Sequence, residues 1–312
     1  MTESHPRFTD GPVVGFVGLG NMGGPMCRRL AIAGCRVVAF DLSDRALHDA
    51  VAAGATAASS AAECAGAADV FLTSLPRPDH VVAVLRDAGA LAALRPGSVW
   101  VDLTTNRKEL VVELAAEAPD GVSVVDSPVT GAVDGARTGA LTLFAGGDDT
   151  VVARVRPLLE HLGEVVHCGP LGSGNVVKLV TNQLWFIAAA ALGEGFALGV
   201  AHGVELGTLW HALQHSVGDS FVVRHDAPSI FAGHYDPSFT LDLCRKDLAL
   251  IGELARSVPA ALPMTDAATA AFDAAIDRYG SSAAELHVAK RIEDDAGLSF
   301  RLDGEWTPPW ER

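Results

Sequence analysis

A chain of 312 residues, 49% hydrophobic and 20% charged, is long enough for two domains and a sizeable core. Its formal net charge of −15 argues against a nucleic-acid partner or an anionic membrane surface, and any anionic substrate must be drawn in by local cations. Five scattered cysteines (Cys27, Cys35, Cys64, Cys168, Cys244), with no CxxC and no histidine cluster, predict reduced core thiols of a cytoplasmic protein and no metal. Met1 to Gly11 is polar and carries no signal-peptide apolar stretch.

In chain order, 13–17 reads as a short apolar strand. It breaks into Gly18-Leu19-Gly20-Asn21-Met22-Gly23 and opens a helix over 22–33. The first glycine permits a tight turn, the second lets backbone approach a pyrophosphate, and the third lets helix pack on strand. The helix start offers N–H groups and a positive dipole end to phosphates. A second strand, 36–40, ends at Asp41, 18 residues beyond Gly23. A carboxylate at that distance binds ribose hydroxyls and repels a 2′-phosphate, which favours NAD over NADP. Arg36 and Arg45 keep NADP open, and Asp41 would equally suit a cap for the helix starting near Asp44.

Further strands are predicted at 69–74, 98–101, 122–125, 140–146 and 163–167, alternating with helices near 43–53, 78–86, 107–118 and 148–161. This alternation is the pattern of a parallel sheet with crossover helices. Past Cys168 the run Gly169-Pro170-Leu171-Gly172-Ser173-Gly174 breaks it. Helices then follow near 174–202, 206–217, 222–231, 241–257, 263–279 and 282–295. The expected fold class is α/β: an N-terminal Rossmann-type parallel-sheet domain, 1–168, then an all-α domain, 169–312, linked by the long helix. That helix, Val176 to His202, is apolar enough to suggest a membrane span. Lys178, Asn182, Gln183 and Glu194 are expensive in lipid, so it is read as a central helix buried between protein surfaces. The tail with Trp306, Pro308, Pro309 and Trp310 is read as irregular.

Three segments have the makings of chemistry. Lys178 falls on the second turn of the long helix among apolar residues, with Asn182 on the same face four residues on. Burial would lower the lysine pKa toward that of a neutral-pH general acid/base, while a lysine snorkelling from a helix end explains it equally well. Asp126-Ser127-Pro128-Val129-Thr130-Gly131-Ala132 follows a strand, where α/β sheets bind ligands. The Thr130 hydroxyl and the amides of Gly131 and Ala132 suit a carboxylate, and an ordinary Pro/Gly turn is the plainer alternative. Lys246-Asp247-Leu248 opens a later helix. Lys246 would reach a cofactor cleft with Asp247 as a buttress, or the two form a solvated ion pair. Phe221, Val222 and Val223 suit either a substrate pocket or core packing.

Together these segments resemble the β-hydroxyacid dehydrogenase family, which includes 3-hydroxyisobutyrate dehydrogenase, from about Val13 to about Ile292. Gly-Leu-Gly-Asn-Met-Gly at 18–23 matches the cofactor motif, and Asp126-Ser-Pro-Val-Thr-Gly-Ala the substrate motif. Gly172-x-Gly-x-x-x-Lys178-x-x-x-Asn182 matches the catalytic motif, and Lys246-Asp247-Leu248 that of the second domain. The resemblance implies reversible NAD(P)-dependent oxidation of a small 3-hydroxy acid to its semialdehyde or oxo acid. Lys178 would be the general acid/base and Asn182 its hydrogen-bonding neighbour to substrate. Thr130, Gly131 and Ala132 would anchor the substrate carboxylate, with help from the long helix's N-terminus, and Lys246 would lie near nicotinamide and substrate. Leu75-Pro76 and Thr104-Thr105, each following a strand, would line the cofactor. A homodimer or homotetramer is implied as well, with some of the apolar surface around Trp185, Phe186, Leu192, Phe196 and Leu198 as interface. Two departures bear on the substrate: the family usually has Ser-Gly-Gly where this chain has Thr130-Gly131-Ala132, and Leu103 replaces a small polar residue. The same residues would serve a reductase of glyoxylate, tartronate semialdehyde or succinic semialdehyde. An imine reductase usually lacks a lysine at position 178, a 6-phosphogluconate dehydrogenase has a longer helical domain, and a non-catalytic binding module should have lost the lysine.

Overall fold

The computed structural model describes residues 11–259, 261–304 and 306; Pro308, Pro309, Trp310 and the polar stretch before Gly11 lie outside them. By Cα proximity the chain divides into two compact units between Lys178 and Leu179.

The first unit is built on strands that are apolar on both faces, the composition of a sheet covered by helices on each side. They are β1 (Val13–Val17), β2 (Arg36–Phe40), β3 (Thr56–Ala57), β4 (Val70–Thr73), β5 (Val99–Asp102), β6 (Ser123–Asp126), β7 (Val129–Thr130), β8 (Leu141–Gly146) and β9 (Gly163–Gly169). The order β3-β2-β1-β4-β5-β6 is parallel throughout. It reverses direction between β1 and β4, the switch point at whose carboxyl side ligands bind. Beyond β6 the sheet continues through β8, which is antiparallel to β6 and β7 and parallel to β9. Helices α1 (Gly23–Ile32), α2 (Asp44–Ala52), α3 (Ala61–Ala67), α4 (Pro78–Val82), α5 (Ala90–Ala93), α6 (Lys108–Glu117), α7 (Ala132–Thr138) and α8 (Asp149–Leu159) connect the strands.

Alternation along each strand feeds two buried clusters. Phe16, Leu72, Val99 and Val101 join Met26 and Leu30 of α1 and Val152 and Val155 of α8. Their neighbours Val17, Phe71 and Trp100 join Cys64 of α3, Leu91 of α5 and Leu110 and Leu114 of α6.

The second unit is helical: α10 (Leu206–Gln214), α11 (Ala227–Ala232), α12 (Leu241–Ala255), α13 (Pro263–Tyr279) and α14 (His287–Asp295), with most of α9 (Ser173–Ala201), which runs across the division. Its core centres on Phe186, Phe196, Phe231, Phe272 and Phe300. Thr240 caps α12 through Leu243 N, Glu205 caps α10 through Gly207 N and Thr208 N, and Pro263 begins α13.

The sheet-then-helices architecture agrees with the sequence reading, and most major elements fall within a few residues of their expected places. The stretch read as one helix at 222–231 is a wide π-type turn, Val222–Asp226, followed by α11. The helix read at 78–86 is likewise α4 followed by a π-type turn, Ala83–Asp87. Among the described residues, α9 is the one helix long and apolar enough to cross a membrane. It is less covered within the chain than a central buried helix would be: Phe186, Ala189, Leu192 and Phe196 are buried, but Val180, Leu184 and Leu198 are exposed.

Candidate active site

The glycine-rich turn leaves β1 at Gly18, whose φ of +93° favours glycine; a Cβ there would lie 2.2 Å from the Ser74 carbonyl oxygen. A Cβ on Gly23 would lie 1.9 Å from the Gly18 carbonyl, so the turn closes directly onto the start of α1. Gly20 differs, since a Cβ there would meet nothing within 4 Å. Protein packing therefore does not demand glycine at this position, whereas a pyrophosphate lying against the backbone would. Asn21 and Met22 complete the turn before α1.

Asp41 ends β2 with both carboxylate oxygens engaged. Oδ2 accepts from Leu19 N (2.6 Å) and Oδ1 from Ser43 N (2.8 Å). The side chain that caps α2 is Ser43, which accepts from Ala46 N. Asp41 thus braces the glycine turn instead of serving as the helix cap. After β4 the Leu75 N–H donates to Thr104 Oγ1 (3.0 Å), joining the Leu75-Pro76 and Thr104-Thr105 segments at neighbouring strand ends. Thr104 is buried, Thr105 half-buried and Pro76 exposed. Leu103 is buried in the sheet's core. These groups fit a dinucleotide: an open backbone cradle at Gly20, a helix start behind it, and a carboxylate at the end of the adjoining strand.

The substrate-motif segment is not a turn. Asp126 faces Gly146, Val129 faces Leu143 and Thr130 faces Thr142 in one continuous antiparallel register, with Phe144 N donating to Pro128 O between them. The chain bends at Ser127-Pro128 from parallel pairing with β5 to antiparallel pairing with β8. The strand run ends at Thr130, Gly131 has φ +122°, and Ala132 begins α7 with φ +57°.

Asp126 ties this strand to the start of α9. Its Oδ1 accepts from Gly172 N (2.6 Å), and its Oδ2 from Asn175 N (2.7 Å) and Asn175 Nδ2 (3.1 Å). Burial pushes its pKa up to about 6, opposed by those donors. The amides at the start of α9 that were expected to help hold a substrate carboxylate are therefore, at Gly172 and Asn175, already committed to Asp126. Lys178 follows on the second turn at 9% exposure, so the snorkelling alternative fails. Four residues on, Asn182 Nδ2 donates to Asp247 Oδ2 (2.8 Å), and Lys246 Nζ lies 2.7 Å from Asp247 Oδ1. Asp247 is 2% exposed, so the Lys246–Asp247 pair is buried and not solvated.

The structure thus joins Leu19 to Asp41, Leu75 to Thr104, and Asp126 at the end of β6 to the start of α9 in the first unit; it joins Asn182 to Lys246 through Asp247 in the second. Sequence reasoning missed Asp102, Asn106 and Asn175, buried polar residues that no local motif marks. It also missed a group in the second unit: Asp226, buried, accepts from Trp185 Nε1 (2.8 Å) and lies 2.7 Å from His225 Nδ1, with Phe221 stacked on His225. Val222 and Val223 are core residues, while Phe221 is exposed. Among the described residues, no group of three or more His, Cys, Asp or Glu is placed to hold a metal.

Comparison with known proteins bears on this arrangement. Residues 13–169 match the family model described as the NAD binding domain of 6-phosphogluconate dehydrogenase, and residues 172–292 that described as NAD-binding of NADP-dependent 3-hydroxyisobutyrate dehydrogenase. The NAD-dependent L-serine dehydrogenase of Pseudomonas aeruginosa is 33% identical over 293 residues, spanning 90% of this chain and 97% of that protein. The 3-hydroxyisobutyrate dehydrogenase of the same organism is 36% identical over 263 residues, 80% of this chain and 88% of that protein. A structure of Mycobacterium tuberculosis 3-hydroxyisobutyrate dehydrogenase with L-serine superposes with a TM-score of 0.82 at 29% identity, covering 90% of this chain and 99% of that one.

Proposed function

We infer the reaction from one premise: the chain belongs to the β-hydroxyacid dehydrogenase family. It is an NAD-dependent hydroxyacid dehydrogenase acting on a CH–OH group. L-Serine and 3-hydroxyisobutyrate, named for two relatives, are both 3-hydroxypropanoates substituted at C2. We propose that this chain takes a substrate of that class, R–CH(COO⁻)–CH₂OH, and releases the semialdehyde R–CH(COO⁻)–CHO.

When bound at the Gly18–Gly23 turn, NAD⁺ supplies the hydride acceptor. Gly18, Leu19, Gly20, Asn21, Met22 and Gly23 would hold its pyrophosphate and Asp41 its adenosine ribose, and Leu75, Pro76, Thr104, Thr105 and, by the family resemblance, Lys246 would serve the remainder. The Thr130 hydroxyl, with the backbone of Gly131 and Ala132, holds the substrate carboxylate, and Lys246 adds positive charge. Neutral Lys178 takes the hydroxyl proton as the C–H bond breaks, and its ammonium returns that proton in the reverse direction. Asn182, with its amide nitrogen fixed by Asp247, hydrogen-bonds the substrate beside Lys178. The observation that carries this reading is a lysine nearly withdrawn from solvent, one helical turn from an asparagine held by a buried carboxylate.

Lys178→Ala is expected to lose about 10²- to 10⁴-fold in turnover, the usual worth of a general acid/base, while still binding NAD. Steady-state rates paired with a fluorescence titration of the cofactor check this, and full activity in the variant overturns it. Initial rates across 3-hydroxyisobutyrate, 3-hydroxypropionate and serine with NAD and NADP in parallel identify R; Asp41 favours NAD. The same reading assigns cofactor binding to residues 1–168 and the substrate and assembly surfaces to 169–312. It places the protein in the cytoplasm as a homodimer or homotetramer, with the exposed Val180, Leu184 and Leu198 of α9 as interface, which sedimentation of the purified chain tests.

A further inference from the structure

The first unit holds two buried carboxylates whose hydrogen-bond donors are all neutral. Asp102 accepts from Thr73 Oγ1 (2.9 Å), Thr104 N (3.1 Å) and Asn106 Nδ2 (3.1 Å), and Thr73 is itself held by Trp100 Nε1 (3.0 Å). Asp126 accepts from Gly172 N and from both nitrogens of Asn175. Asp102 and Asp126 already face each other as β5–β6 partners, and a side-chain contact joins their two groups beyond the sheet: Asn106 N donates to Asn175 Oδ1 at 2.7 Å. The result is a directed chain, Trp100 to Thr73 to Asp102, Asn106 to Asn175, and Asn175 to Asp126. It runs from the ends of β4, β5 and β6 into the first turn of α9.

Asn175 is the link for which few side chains qualify. It is wholly buried, with a backbone donor on one side and a carboxylate on the other. An amide presents one acceptor and one donor and satisfies both. An aspartate would accept from Asn106 but meet Asp126 with like charge. An apolar residue would leave the Asn106 N–H unpaired and Asp126 short of a donor, and buried polar groups pay for that. Asn175 also precedes Lys178 by three positions, one turn earlier on the same face of α9.

We propose that Asn175 is a positioning residue for Lys178. Locked between the β5 loop and the end of β6, it fixes the depth and rotation of the first turn of α9, and so where the amine sits. This rests on the assignment of proton transfer to Lys178. A misplacement of about 1 Å at a reacting group can cost about 100-fold in rate, so the lock has kinetic leverage although Asn175 touches neither reactant.

The test is a double-mutant cycle on the full chain with NAD and the best hydroxy acid of the panel: wild type, Asn175→Ala, Lys178→Ala and the double variant. Asn175→Ala is expected to lower kcat about 10- to 100-fold with the KM for NAD within about twofold. In the Lys178→Ala background it is expected to change the residual rate less than about twofold, because nothing remains to be aimed. Equal losses in both backgrounds, or a wild-type kcat in Asn175→Ala, overturn the proposal. If Asn175→Ala does not fold, Asn175→Ser takes its place in the cycle under the same criteria: its single hydroxyl is one atom shorter than the amide, so it cannot hold Asn106 N and Asp126 Oδ2 together at their present distances. Full activity in Lys178→Ala instead removes the assignment beneath the proposal, so the two failures are distinguishable.

Discussion

Ala132 adopts a backbone conformation that costs an L-residue about 1–2 kcal/mol, since its Cβ crowds the following carbonyl at φ +57°. The family motif that this segment resembles has glycine there, so the chain carries strain beside its proposed substrate anchors. Among the described residues, two other non-glycine residues share the left-handed region, Tyr235 and Asp236, and both are tied down. The Tyr235 hydroxyl donates to Glu293 (2.6 Å) and accepts from Arg301, while Asp236 Oδ1 accepts from Ser238 N and Ser238 Oγ. Ala132 has no side chain with which to make such bonds, so its strain should be recoverable. Against the relief stands the greater unfolded-chain entropy of glycine, about 0.4–1 kcal/mol. Ala132→Gly is therefore expected to stabilise the first unit by about 0.5–1 kcal/mol, read as a higher urea midpoint at unchanged slope. A lower midpoint would mean that the surrounding loop, not strain relief, governs this position.

The start of α9 is defined by close backbone approach. A Cβ on Gly174 would lie 2.0 Å from the Phe144 carbonyl oxygen and 2.9 Å from that of Asp126. Gly195, in the same helix, would meet nothing within 4 Å. Helix propensity alone favours alanine by about 1 kcal/mol at either site. Gly195→Ala is thus expected to raise the thermal midpoint, and Gly174→Ala to lower it by the equivalent of about 3 kcal/mol, as rigid backbone cannot yield. Equal midpoints for the two variants would show that α9 can move off β8 without cost. What the sequence disclosed follows the same divide between local and distant causes. Strands 13–17 and 36–40 were legible because a continuous apolar run needs no partner to identify it. Thr56–Ala57 was not, since both residues are exposed and only backbone pairing with β2 makes them a strand. Helices Ala61–Ala67 and Ala132–Thr138 are too short and rich in alanine and glycine to show an apolar period. In the candidate site, the glycine turn, Asp41, Lys178 and Asn182 were visible because motif spacing is local. Asn175 and Asp126, 49 positions apart, and Asn182 and Asp247, 65 apart, were not visible as partners.

For the whole chain, pH brings opposing contributions into play. A formal charge of −15 makes the compact state self-repelling at neutral pH, and the repulsion eases toward the isoelectric point near 5.0. Asp126 acts in the same direction. It titrates at about 6 when folded, against an ordinary 3.8, because burial disfavours its charge. The folded chain therefore binds this proton more tightly than the unfolded chain. The cost of the buried charge is full above pH 6 and shrinks as pH falls toward 3.8. Asp102, also raised by burial, has the same sign. His287, lowered by burial, has the opposite one: stability it provides at higher pH is lost as pH falls below 6.5. Glu63, Glu117 and Glu205, lowered by hydrogen bonds, give up their exposed contributions only below the ordinary carboxylate range. Comparison of wild type with Asp126→Asn isolates one term, since net-charge relief, His287 and the glutamates are nearly common to both. Between pH 7.5 and 5.5 the wild type is expected to gain about 1 kcal/mol on the variant, from the integrated linkage of that single group. The difference is best read by urea-dependent hydrogen exchange on peptides from β4 to β6, because the second unit need not unfold with the first. A difference between the two proteins that stays constant across that range would place the Asp126 proton in the ordinary carboxylate range, with its three donors outweighing its burial.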